Sequence, residues 1–309
     1  MICPDSRVAL ISINKIETHN DYFKISKPLQ QELVRSVVQS GVIEPVLLLN
    51  QNERYVPVYG HNRIAAAQEA GIKEISARVI NEITLDDFLQ IVRVKLYHNL
   101  LGTLGKIKCL YLLYEHFNAD KKLIIDIARE LSLPISLTNL KNVQVIINLP
   151  LVIKNYIDSR AIAPKFVMPF LRLSESSIDM LKKIITACQM RVNYFNNIVV
   201  MIEDISRTGK EKILNDNLEL LLMKDNVTDE DVYKCIYAIR YPEYTGYMNR
   251  VENIKNKLNA VGIKVEIPAY LEGDSINVIV EVRKNKPLHP LLEKDSNISG
   301  LIKSIIELL

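Results

Sequence analysis

Val58-Tyr59-Gly60-His61-Asn62-Arg63-Ile64-Ala65-Ala66-Ala67-Gln68-Glu69-Ala70-Gly71 reads as the end of a strand, a tight turn and an Ala-rich helix. Gly60 permits the turn and Gly71 closes the helix. A helix that starts straight out of such a turn leaves its first backbone N–H groups without partners, which makes an anion site. Arg63, one turn in, offers a donor fork suited to phosphate, and His61 sits where the backbone comes closest to a ligand. The same spacing also describes an ordinary strand–turn–helix joint with both side chains in solvent.

The neighbours of this turn give it a context. Upstream lie Ile13 and Ile16, expected to mark a short strand, and Leu29, Leu33 and Val37 at helical spacing. Ser40-Gly41-Val42-Ile43-Glu44-Pro45-Val46-Leu47-Leu48 follows as a turn and strand. A second strand is expected over 55–58 after the polar turn 50–53, and another over 75–80. Thr84 with Asp87 three residues later marks a capped helix running through Phe88, Ile91, Val92 and Lys95 to about His98.

This order resembles the N-terminal domain of the ParB family of partition proteins from about Val8 to Asn99. The Gly60 turn is similar to the family's "G-E-R-R-x-x-A" box, with His61 in place of the acid and Asn62 in place of the first Arg. The family's second box, "E-N-x-Q-R", corresponds to His98-Asn99-Leu100-Leu101-Gly102, of which Asn99 alone is kept. The resemblance implies nucleotide binding by Gly60, His61, Asn62, Arg63 and Asn99, with CTP or another nucleoside triphosphate and magnesium as the ligand. In the family, CTP closes the protein into a clamp on DNA. Loss of the acidic group removes a hard oxygen ligand for magnesium, and loss of the Arg removes a phosphate contact. The boxes therefore support the fold better than CTP hydrolysis, and no catalytic residue is assigned. The wider superfamily includes sulfiredoxins, which need a cysteine in this turn, and small-molecule kinases, for which Glu17 or Glu44 would have to act as base.

From Leu104 the pattern turns helical. Ile107, Leu110, Tyr111, Tyr114 and Phe117 form one stripe, and Ile124, Ile127, Ala128 and Leu131 a second. A third helix over about 136–149 completes a segment that resembles the family's helix-turn-helix, with Ser136, Thr138, Asn139, Lys141 and Gln144 as candidate DNA contacts. One cation is few for a reading helix, so charge must be borrowed from Lys106, Lys108, Lys121, Lys122, Lys154 and Lys165. Residues 174–240 read as three further helices, with Ser174 and Thr228 as caps and Thr208-Gly209 as a break. Met190, Tyr194, Phe195 and Met201 read as core. The C-terminal part reads as a helix over 248–261, strands over 264–267 and 277–282, and an apolar final helix over 298–309.

The chain's 309 residues suffice for two or three domains. The division expected is 1–100, 101–240 and 241–309, in an α+β, mostly helical architecture: a small ParB/sulfiredoxin-like α/β domain, a central helical domain and a C-terminal helix–β-hairpin–helix unit. That last unit would bury little alone, which favours a homodimer. A net charge of +3 permits nucleic-acid binding without arguing for it. Cys3, Cys109, Cys188 and Cys235 are too far apart for a zinc or disulfide framework, so no metal site is expected and a cytoplasmic setting fits. No apolar run is long enough for a membrane span. The expected function is that of a ParB-like DNA-binding partition factor, with a partition ATPase as partner; the alternatives are a nucleotide-dependent kinase or nuclease, or an adaptor keeping the fold alone.

Overall fold

The computed structural model describes residues 8–52, 54–134, 140–260, 262–266, 276–280 and 297–307. They form two compact units, Met1–Tyr233 and Lys234–Leu309. Most of the described residues are helical, and no described helix is long and apolar enough to cross a membrane.

The first unit opens with strand β1 (Val8–Ser12), helix α1 (Gln31–Ser40), strands β2 (Val46–Gln51) and β3 (Arg54–Tyr59), helix α2 (His61–Glu69) and strand β4 (Glu74–Ile80). The sheet runs β1-β4-β2-β3. β2 pairs with β4 in parallel, and the crossover this requires is β3 followed by α2. Val46, Leu47 and Leu48 are buried in succession, as befits an inner strand covered on both faces. Pro57 is tolerated because β3 is an edge strand. Val34 and Val37 of α1 and Ile64, Ala66 and Ala67 of α2 close the core over Val46, Leu48, Ile75 and Ala77.

Residues 13–16 are not the short strand their pattern suggests. β1 precedes them, and Ile13–Lys15 is a single 3-10 turn. Its i,i+3 geometry puts Ile13 and Ile16 on one side, where both are buried. The other elements of this region fall within a few residues of their expected places. Thr84 and Asp87 form the reciprocal capping box at the start of α3 (Leu85–Tyr97).

Helix α4 (Thr103–Glu115) departs from the single stripe expected of it. Cys109, Leu112 and Leu113 are buried along with Ile107 and Leu110, while Tyr111, Tyr114 and Phe117 are half-buried. A helix that is apolar nearly all round is a central helix. Its approach to the chain at Ile25 leaves no room for a side chain: a Cβ on Gly105 would lie 2.0 Å from the Ile25 carbonyl oxygen. Gly246, in contrast, is helical with nothing within reach of an added Cβ. Gly105→Ala is therefore expected to lose about 2 kcal/mol, overpacking outweighing propensity. Gly246→Ala is expected to gain up to about 1 kcal/mol from propensity alone. Urea unfolding of both variants beside the parent tests the contrast; equal effects would refute it.

Helix α5 (Lys121–Glu130) buries Ile124, Ile127 and Ala128, with Leu131 just beyond it, as the stripe predicts. The start of the expected third helix, including Ser136, Thr138 and Asn139, lies outside the described residues. What is described is a short helix, α6 (Val143–Ile147), followed by α7 (Leu151–Ser159) and α8 (Pro164–Val167). The region expected to hold three helices holds four: α9 (Glu175–Ala187), α10 (Val192–Arg207), α11 (Glu211–Leu222) and α12 (Asp229–Arg240). Cys188 to Arg191 separate the first two in an uncapped break that carries no Gly or Pro signal. The Ser174 cap, the Thr228–Asp231 capping pair and the break after Arg207 are all present. Met190, Phe195 and Met201 are core residues and Tyr194 is half-buried.

In the second unit, helix α13 (Pro242–Ala260) starts six residues earlier than the pattern 248–261 indicates. Proline at the first helical position begins a helix as readily as it ends one, and Pro242 does both. β5 (Ile263–Glu266) and β6 (Asn277–Val280) pair antiparallel, and α14 (Asn297–Ile306) follows. Leu301, Ile302 and Ile305 pack with Leu258, Ile263 and Val265 of the same unit. Ile279 and Ile306 remain about half exposed.

Candidate nucleotide site

β3 delivers the chain to Gly60 with φ 94° and ψ 18°, a left-handed conformation that glycine adopts without cost. A Cβ here would also meet Val46 Cγ1 at 2.6 Å. The first bond of α2 runs from Ile64 N–H to the Gly60 carbonyl at 3.0 Å, and no side chain caps the helix. The N-terminal amides thus stand open at the turn.

Around them lies a cavity of about 580 Å³. Gly60, Asn62 and Arg63 line it, and so does Asn99, so the two boxes read from the sequence converge on one space. Asn99 adopts φ 53°, turning the chain between α3 and α4. The segment at residues 26–28 fastens the boxes together. Asn62 Nδ2 donates to the Lys27 carbonyl at 2.9 Å, and Lys27 Nζ donates to the Asn99 carbonyl at 2.8 Å. Lys27 N–H also donates to Leu100 O at 3.1 Å.

His61 does not line the cavity. It is 6% exposed, beneath the turn, and neither ring nitrogen has a hydrogen-bond partner. Burial first, then the nearby charges of Lys95, Lys24 and Lys108, drive its pKa down to about 3; the Pro57 backbone opposes this without offering either nitrogen hydrogen-bonding geometry. Arg63 lines the cavity, and one nitrogen of its fork is engaged: Nη1 donates to Glu44 O at 2.6 Å and lies 3.2 Å from the Glu44 carboxylate. Its guanidinium also lies 5.0 Å from the Tyr59 ring centroid.

Sequence reasoning did not single out Lys27, Tyr59 or Lys95 for this site. Lys95 is 3% exposed, donates to Ser26 Oγ and lies 5.0 Å from the Tyr59 centroid. Desolvation lowers its pKa to about 8, with Arg63 contributing. A signal was there to find: Phe88, Ile91, Val92 and Lys95 share one helical stripe, and a lysine in an apolar stripe marks a buried charge.

A second cavity, of about 790 Å³, lies between residues 19–29, α4 and the α6–α7 region, and shares Ser26 and Pro28 with the first. Gln144 lines it, together with Lys24, Lys108 and Lys154. Lys108 Nζ donates to the Asp21 carbonyl and Lys154 Nζ to Ile147 O at 3.2 Å. Two of the lysines expected to lend charge to a DNA face thus line this cavity, half-buried. Lys141, Lys121, Lys122 and Lys165 are exposed.

Residues 4–99 match the family model of the ParB N-terminal domain. The matched residues include the sheet, α1 to α3, the Gly60 turn and Asn99. Among solved structures, the chain is similar to C-terminally truncated chromosome-partitioning protein ParB from Caulobacter crescentus complexed with CTP-gamma-S, at 20% identity over 58% of this chain and 99% of that one, TM-score 0.26. The same protein complexed to the centromeric parS site matches at 21% identity over 63% and 97%, TM-score 0.26. A pNOB8-like ParB N-domain matches at 14% identity over 80% and 98%, TM-score 0.29. No curated protein matches the chain.

Proposed function

We propose that the chain is a ParB-like partition protein whose N-terminal domain binds a nucleoside triphosphate, CTP first among them, and couples that binding to DNA. The observation that carries this reading is the convergence of Gly60, Asn62, Arg63 and Asn99 on one cavity at an uncapped helix start, within a ParB N-terminal domain. DNA contacts are assigned to the helical region that follows, about 104–173, with Lys141 and Gln144 as its described candidates. Homodimerisation is assigned to the C-terminal unit, whose small core and exposed Ile279 and Ile306 favour a partner copy. A partition ATPase is the expected protein partner. The kinase and nuclease readings find little support, since Glu44, the carboxylate lining the cavity, is held by Arg63, and Glu17 does not line it.

Calorimetric titration with each of the four ribonucleoside triphosphates, with and without mixed DNA, tests the reading. CTP-selective binding strengthened by a particular DNA is expected; binding of none would overturn it. Arg63→Ala is expected to weaken nucleotide binding at least about tenfold. Cooperative thermal unfolding should persist in that variant, and unchanged affinity would remove Arg63 from the site.

A further inference from the structure

A triphosphate brings several negative charges into its site, and in the family the resemblance invokes, magnesium offsets part of them. The donors present here do not fit that ion. The acidic position of the first box is His61, buried away from the cavity, and that of the second is His98. Glu44 is the carboxylate lining the cavity and Arg63 holds it at 3.2 Å. Among the described residues no group of three or more His, Cys, Asp or Glu side chains could hold a metal ion. Magnesium demands near-ideal octahedral oxygen ligation and is usually held by one or two carboxylates beside the substrate's phosphates, and the carboxylate lining this cavity is already paired with Arg63.

The cavity instead contains a cation of its own. Lys95 projects from the apolar face of α3 and its ammonium has Ser26 Oγ as a neutral partner, with donor capacity left over. The charged and titratable groups around it do not neutralise it: Arg63 repels it, Lys27 and His98 share the cavity, and Glu44, which also lines the cavity, is paired with Arg63. Tyr59 offers only its ring, and the Cys109 thiol is buried with its pKa pushed up to about 12. A buried ammonium without an anion is costly, and such a cost is offset when an anion arrives.

We propose that the ammonium of Lys95 takes the place of a divalent cation in this site, so that the chain binds its nucleotide without metal. This rests on the nucleotide reading above and adds the means by which the phosphates are neutralised. Lysine is suited to the task as a compact point charge. The α2 amides supply directional donors beside it.

The test is calorimetric titration of the full chain with CTP in excess EDTA and again in magnesium, on the parent protein and on Lys95→Met. The two affinities of the parent are expected to agree within about threefold, and Lys95→Met to bind at least about tenfold more weakly in EDTA. A thermal melt of Lys95→Met establishes that it folds; should it not, the EDTA and magnesium comparison on the parent decides alone. Binding that requires magnesium, or a Lys95→Met variant that binds like the parent in EDTA, overturns the metal-free site and leaves the nucleotide reading standing. Binding of no nucleotide in either buffer overturns both.

Discussion

Gly60→Ala is expected to lose about 3 kcal/mol of folding free energy, from two sources that act at one atom. A side chain at φ 94° is strained wherever it stands, at about 1–2 kcal/mol. The new Cβ would also meet Val46 Cγ1 at 2.6 Å and Cβ at 3.0 Å, and Val46 is fully buried on an inner strand. Neither partner can withdraw, so overpacking adds about 1–3 kcal/mol. Urea unfolding of Gly60→Ala, Val46→Ala and the double variant separates the two parts. A coupling energy above about 1 kcal/mol is expected, because Val46→Ala removes the 2.6 Å contact with Cγ1 while leaving the Cβ at 3.0 Å and the backbone as they are. Strict additivity would show that the clash with Val46 Cγ1 contributes nothing.

Acidification should act through His61. Its folded-state pKa, about 3, lies below its ordinary value of 6.5, so the unfolded chain takes up the proton first. Stability from this group is then complete above about pH 6.5 and falls with pH at about 1.4 kcal/mol per unit. The loss continues until the folded pKa is reached. His61→Leu, of similar volume and without a proton to gain, should remove that slope. Between pH 7 and pH 5 the variant should therefore lose about 2 kcal/mol less than the parent. Parallel losses would mean that the folded protein protonates His61 as easily as the unfolded chain. Carboxylates titrate lower, and the comparison with the variant cancels them.

The same two residues mark what was readable in the sequence. The Gly60 turn, the capping pair at Thr84 and Asp87, and the stripe of α5 are local, and their residue types dictate their geometry. That Gly60, Asn62, Arg63 and Asn99 would meet followed from the family resemblance rather than from spacing. His61 reads as a ligand in the chain but is buried at the first position of α2, outside the cavity and with neither ring nitrogen partnered. Lys27 was illegible because it acts largely through its backbone and through Asn99, far away in sequence. Lys95 was legible as an anomaly in a stripe, and only the fold says what it faces. The central position of α4 was missed for a related reason: periodicity reports one buried face, and a helix packed from all sides has no polar face to contrast with it.

Ser26 and Pro28 belong to both cavities. A partition between two chambers cannot be displaced into one without enlarging the other. The strip of chain from Asp21 to Pro28 is pinned at Ile25 by the contact with Gly105, with Lys27 on one side and the Asp21 carbonyl held by Lys108 on the other. The two chambers therefore owe part of their walls to one short strip, and a substitution at Ser26 or Pro28 alters both at once.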